Sequence, residues 1–297
     1  MKLGLMTDSL GHLGRGPCLD QVAAWGLDAV EFGTGGWSSA PHLDLAGLLG
    51  RAAARRDLLA EVADRGLSIS ALNASGNPLH PGPSGAADRA TVDGTLELAV
   101  HLGVRTVVLM SGLPAAPGDS YPNWITSSWP PEALEILEWQ WRERLVPYWV
   151  ELATRAQQLG VRLYIEQHGR QCVYNTESFL RLRDAVAARA GSAVAAAIGV
   201  NFDPSHLLWM GGDPVAAIRA LGESIGHVHA KDTRIEEKSR RDGLLDTNPV
   251  VPLKARAWNY VSVGAGCSVE EWASIVTALR EAGYDGVLCI ENEDHSL

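Results

Sequence analysis

The sequence predicts an α/β fold, a single (β/α)8 TIM barrel over residues 1–297, and two observations carry that prediction. Short β-branched or apolar runs alternate with longer amphipathic stretches rich in Ala, Leu and Arg from end to end, the mark of repeated βα units and a parallel sheet. Eight such runs can be counted, and no GxGxxG follows the first, so a closed barrel fits better than an open dinucleotide-binding sheet.

The expected strands are 2–7, 29–32, 68–73, 106–110, 162–166, 198–203, 225–230 and 287–291. Between them, helices are expected near 16–26, 44–65, 86–102, 132–159, 176–190, 214–221 and 268–282. Gly66, Gly103, Gly160 and Gly283 close four of them, as helix ends prefer. Only seven helices fit, and the sequence stops six residues after Glu291. The helix that would cover the seam between strands eight and one is therefore expected to be missing or supplied otherwise, for instance by a partner subunit, and a homo-oligomer is expected.

Two connections are long. The first, 112–131, carries Tyr121, Asn123, Trp124 and Trp129, and half of the ten tryptophans fall between 124 and 149. The second, 233–267, carries Trp258 and Tyr260. Both follow strands, so both emerge on the face where barrel enzymes build their sites. Their aromatic rings suit either the apolar faces of a sugar, Trp124 being the named contact, or packing against a neighbouring subunit.

Composition excludes several classes. No apolar stretch reaches the roughly 20 residues of a membrane-spanning helix, and MKLGLMTDS reads as a strand rather than a leader, so a soluble, cytoplasmic protein is expected. The four cysteines, Cys18, Cys172, Cys267 and Cys289, form no CxxC pair and suggest neither a zinc cluster nor a disulfide framework. A formal charge of −10 gives no attraction to a phosphate backbone, and nucleic acid is not an expected partner.

Polar residues recur at one place, the C-terminal end of an otherwise apolar strand. Burying an unpaired ionised carboxylate costs at least several kcal/mol, so a ring of them at one barrel mouth calls for a cation. Period-two alternation puts Glu166 and His168 on one face of strand five, Asn201 and Asp203 on one face of strand six, His227, His229 and Lys231 together on strand seven, and Glu291 with Glu293 at strand eight. Glu166, Asp203, His229 and Glu291 thus form an oxygen-rich set with one imidazole, suited to a divalent metal, Mn2+ first and Mg2+ or Co2+ next.

Six segments, GNPLHP (76–81), PNW (122–124), IEQH (165–168), NFDPSHLLW (201–209), HVHAKD (227–232) and IENED (290–294), resemble the sugar phosphate isomerase/epimerase superfamily, the xylose-isomerase-like barrels. The resemblance spans almost the whole chain and maps the family's metal quartet onto the same four residues. It implies that Glu166 and Glu291 also do the acid/base work on opposite faces of a sugar, one removing a proton next to a carbonyl and the other returning it through an enediolate. It also implies that His206 binds substrate. Asn292 departs from the pattern, standing where the resemblance leads one to expect histidine.

Other candidates come from placement alone. Lys231 faces the mouth as a ligand for a substrate oxygen or as a counter-charge to Glu166 or Glu291. His168, Asn73 and His80 are placed where a substrate could reach them, although Asn73 and His80 could equally satisfy loop backbone. Glu31 reads as a hydrogen-bonding support for an inward group or an inward ion-pair residue, and Asp232 as a cap. The resulting expectation is a metal-dependent sugar isomerase or epimerase. The alternatives are a metal-dependent lyase on 3-keto-glycosides, an abasic-site endonuclease, which the acidic balance disfavours, and a non-catalytic metal-binding barrel.

Overall fold

The computed structural model describes residues 1–296, and each expected apolar run forms a strand within one or two residues of its expected bounds. Strands β1 (Lys2–Met6), β2 (Ala29–Gly33), β3 (Ser68–Asn73), β4 (Thr106–Leu109), β5 (Arg162–Glu166), β6 (Ile198–Phe202), β7 (Ile225–Ala230) and, after an inserted hairpin, β10 (Val287–Ile290) are parallel neighbours in a closed ring ordered β1-β10-β7-β6-β5-β4-β3-β2. The hairpin, β8 (Asp232–Ile235) with β9 (Trp258–Val261), is antiparallel and stands outside the ring. It occupies the second long connection, which the sequence reading treats as loop.

Alternation decides what each strand buries. Leu163 and Ile165 of β5, and Val200 and Phe202 of β6, join the large apolar cluster between barrel and helices. The intervening Glu166 and Asn201 are hydrogen-bonded to each other, as expected for the inner face. In the register Glu166 pairs with Asn201, Asn201 with His227, and His229 with Cys289, two residues before Glu291. The four expected ligands are therefore staggered along their strands, and the shear of a closed barrel turns such a stagger into a ring.

The helices differ from the expectation in three ways. The stretch expected at 44–65 is two helices, Leu45–Gly50 and Ala52–Ala63, separated by Arg51 in an extended conformation. The stretch expected at 132–159 contains one π-helical segment, Trp141–Leu145, between its α-helical halves. A six-residue helix, Pro204–Trp209, was not expected; Asp203 caps it by accepting from the Ser205 N–H at 2.8 Å. The helix stops at Gly103 and Gly160 are as expected, with φ of 70° and 68°, a conformation glycine adopts without a Cβ clash.

Among the described residues no helix follows β10, and none is long and apolar enough to cross a membrane. At the seam between β10 and β1, Trp25 and Leu3 are about half exposed, beside a cleft lined by Leu5, Leu10, Leu27 and Ile290.

Candidate metal centre

Each expected ligand sits at or just beyond the C-terminal end of its strand, and the four converge. One ligand atom each from Glu166, Asp203, His229 and Glu291 lies within 4.8 Å of every other. Glu166, Asp203 and His229 are almost wholly shielded from solvent, and Glu291 faces the opening with 18% of its side chain exposed.

Two atoms in this group test whether it fits a cation. His229 Nδ1 lies 3.2 Å from an oxygen of Glu166 and 3.2 Å from one of Glu291, yet makes no hydrogen bond. Asp203 gives Oδ1 to its helix cap, while Oδ2 is buried without a hydrogen bond, in ion-pair contact with Lys231 Nζ and His206 Nε2 at 3.2 Å each. Buried polar atoms without a hydrogen bond are rare, and two at one centre, each beside charged groups only, match the donors a bound ion would use. Three carboxylates and one imidazole with a divalent ion leave a formal charge near −1, a far smaller burial cost than three bare carboxylates.

The support beneath the quartet fixes the imidazole. His229 Nε2 lies 3.1 Å from both carboxylate oxygens of Glu31, which is fully buried and also pairs with His227 Nε2 at 2.6 Å and accepts from Asn73 Nδ2 at 2.8 Å. With its Nε2 proton held by Glu31, His229 turns Nδ1 toward the centre, the carboxylate–histidine–metal arrangement of many metal sites. Glu31, His227 and His229 Nε2 also cluster closely, but they satisfy one another by hydrogen bonds and leave no donor facing an ion. Glu31→Gln is expected to weaken Mn2+ binding by about 10- to 100-fold, measured by calorimetry, with the folded far-UV dichroism retained.

Protons compensate this charge where no ion is bound. Burial opposes the charge of His229, but Glu31, Glu291 and Glu166 outweigh it and hold its pKa well above the ordinary histidine value. Burial likewise opposes the charge of Lys231, which Asp203, Glu291 and Glu293 nevertheless hold far above its ordinary pKa. For Glu166 burial alone would raise the carboxyl; His229, His206 and Lys231 pull it well below the usual carboxylate range. Burial would raise Glu291 as well, but Lys231 and His229 lower it.

The remaining candidates divide into three groups. Lys231, His168 and Asn73 line the cavity above the centre, a cleft of about 220 Å³ that also takes in Glu166 and Glu291. Lys231 Nζ is 2.9 Å from Glu291, 3.2 Å from Asp203 and 3.7 Å from Glu293. Burial and the neighbouring His206 press His168 down to about 3, so it is a neutral imidazole, with Nδ1 paired to the Gly169 carbonyl. Asn73 has both amide atoms engaged, by Glu31 and by the Ser75 N–H.

His206 is fully buried and both its ring nitrogens are taken by protein. Nε2 is 2.9 Å from Glu166 and 3.2 Å from Asp203, and Nδ1 is 2.7 Å from the Tyr260 hydroxyl. Burial works against its charge, but Asp203 and Glu166 lift its pKa to about 9 despite Lys231. His206 thus holds two of the expected ligands in place.

His80 and Trp124 lie outside this cavity. His80 accepts the Gly82 N–H within its own turn, and Trp124 packs edge-on against Tyr174 and Trp209 beside a separate cleft. Turn geometry closes the first on itself, and apolar burial claims the second.

Sequence reasoning missed Tyr260 and the wall built by the first two strand-to-helix turns. Asp8 follows β1, and Trp37 and Ser38 follow β2 after the run Gly33-Thr34-Gly35-Gly36; all three line the cavity. Of the three, Asp8 shares the quartet's signal, a polar residue just past a strand end, whereas Trp37 and Ser38 lie several residues beyond β2. Tyr260 arrives on β9, held there because Asp232 at the start of β8 accepts from the N–H groups of Thr233, Gly264, Gly266 and Cys267 and from Trp272 Nε1. Asp232 therefore caps loop backbone, as expected. Tyr260→Phe leaves His206 Nδ1 without its partner; activity is expected to fall about tenfold in kcat with KM little changed, read by steady-state kinetics.

Comparison with known proteins agrees with this fold. A family model described as a xylose isomerase-like TIM barrel matches residues 19–296. The chain belongs to that family. It is 46% identical over 299 residues to the uncharacterized protein YfiH of Bacillus subtilis (strain 168), covering 99% of this chain and 93% of that one. In structure it is similar to the probable 3-DHS dehydratase AsbF from Bacillus anthracis (TM-score 0.67, 16% identity, 99% of this chain and 94% of that one). It is also similar to a zinc-bound IolI protein (0.66, 19%, 100% and 90%) and to a D-tagatose 3-epimerase-like protein (0.63, 20%, 100% and 92%). At these identities the structural likenesses establish the fold alone. Two of these similar structures are of a probable dehydratase and an epimerase-like protein, and this chain carries a candidate metal site at Glu166, Asp203, His229 and Glu291.

Proposed function

We propose that this protein is a divalent-metal-dependent enzyme that removes the proton next to the carbonyl of a small polyhydroxylated ketone and returns one to give an isomer or epimer. The observation that carries the reading is the placement of Glu166 and Glu291. They come from β5 and from the end of β10, each puts an oxygen 3.2 Å from His229 Nδ1, and both line one small cavity.

A divalent ion held by Glu166, Asp203, His229 and Glu291 supplies positive charge to the substrate carbonyl and acidifies the neighbouring C–H. Mn2+ is the metal we assign first, with Mg2+ or Co2+ next, and the zinc-bound neighbour makes Zn2+ a fourth to test. Glu166, aimed by His206 and Asn201, is one base, and Glu291, beside Lys231, faces it from the other side. Lys231 carries positive charge at the cavity, where it is the counter-charge to Glu291, Asp203 and Glu293. The cavity suits a small sugar or sugar derivative rather than a polymer, and nothing in its charge favours nucleic acid.

Elimination is the second reading, on a keto sugar or a 3-keto-glycoside, because a dehydratase is among the similar structures and the first step is the same. Solvent deuterium uptake across free ketoses and 3-keto-glycosides, run with each metal, tests both. A deuterated epimer or isomer supports the first reading and a released water or aglycone the second. Absence of exchange in every substrate with any of the metals would defeat both.

A further inference from the structure

The cavity has a second wall. In the ring of eight strands β1 stands opposite β5 and next to β10, so Asp8, in the turn after β1, lies across the barrel mouth from Glu166 and beside the strand that leads to Glu291. Asp8 accepts from the Ser38 hydroxyl through Oδ2, while Oδ1 is shielded and has no hydrogen-bond partner. The pair fits only because residue 33 is glycine: a Cβ there would come 2.3 Å from Ser38 Oγ and 2.8 Å from Asp8 Oδ1. Burial raises the Asp8 carboxyl above its ordinary range, the sign of an under-solvated carboxylate that gains from another hydrogen-bond donor.

Charge narrows what can bring that donor. Asp8, Glu166, Glu291 and Glu293 line the cavity, and Asp203 lies in its floor. Against these five carboxylates stand Lys231, His206 and a divalent ion, whose four formal charges do not exceed them. Lys231 is the one lysine in the lining, is already bound to three carboxylates, and no arginine joins it. A phosphate would meet no unspent cation here, whereas neutral hydroxyls would meet acceptors on both walls.

We propose that Asp8 is the specificity-determining residue of this cavity, accepting a hydroxyl of a neutral polyhydroxylated substrate and barring its phosphorylated or carboxylated counterparts. This rests on the cavity being the substrate site assigned above. It is tested by calorimetric titration of the Mn2+-loaded protein with a panel of free ketoses, each paired with its phosphate monoesters, in wild type and Asp8→Asn. The wild type is expected to bind the neutral member at least about tenfold more tightly than its ester, and Asp8→Asn to shrink that ratio at least about threefold. Asp8→Asn preserves shape, and the wild-type comparison needs no variant at all. Esters binding as tightly as the free ketoses, a ratio unchanged in Asp8→Asn, or binding of neither member of any pair would overturn the proposal. Binding without deuterium exchange would instead defeat the reaction proposed above and leave Asp8's role standing.

Discussion

Glu166→Gln and Glu291→Gln are each expected to lower solvent-deuterium exchange into a keto substrate by at least about a thousandfold, read by mass spectrometry under single-turnover conditions. Two losses add in each variant. The amide no longer accepts the proton, and the quartet loses one negative oxygen facing His229 Nδ1. The variants should differ in how far the second loss reaches. Glu166 is almost fully enclosed and held by His206 and Asn201, so Glu166→Gln should also disturb the His206 contact, whereas Glu291 lies at the opening beside Lys231. Wild-type exchange rates in both variants would remove the two glutamates as bases.

Metal binding is expected to release about one proton and to strengthen as pH rises, by about tenfold per unit while His229 is protonated in the ion-free protein. The sign follows from the site. With no ion bound, surrounding carboxylates hold the His229 pKa well above its ordinary value, whereas ligation requires Nδ1 to be unprotonated. Protons therefore compete with the ion across neutral pH and win as pH falls. Calorimetry in buffers of different ionisation enthalpy reads the proton count directly, and no dependence on buffer or pH would contradict the assignment of Nδ1. Chelation should lower the melting temperature as well, because an ion that binds only the folded chain adds stability by mass action.

The barrel was legible because its strands are apolar runs bounded by turn residues, and burial on the outer face enforces the alternation; β5 and β6 are the clearest cases. The quartet was legible for a related reason. A carboxylate at the end of such a run, as at Glu166 or Asp203, costs too much to bury without a partner, so its presence there carries information. The helix at Pro204–Trp209 was not seen because six residues give too little periodicity, although Asp203 and Pro204 form a standard start.

Tyr260 and Asp8 escaped for a different reason. β8 and β9 pair across a long intervening segment, so nothing local marks Tyr260 as the partner of His206. Asp8 sits in a one-turn helix, and its meaning depends on Ser38 and Gly33 from another strand connection. His80 shows the converse: a polar residue in a restricted turn looks available in sequence, and in the fold its Nδ1 accepts the Gly82 N–H of that turn.

The central claim is that Glu166, Asp203, His229 and Glu291 hold one ion. Anomalous diffraction at the manganese edge from Mn2+-loaded crystals tests it most directly. One strong peak is expected about 2.0–2.2 Å from Asp203 Oδ2, His229 Nδ1 and a carboxylate oxygen of each glutamate. A peak elsewhere, or none in protein saturated with Mn2+, would contradict it.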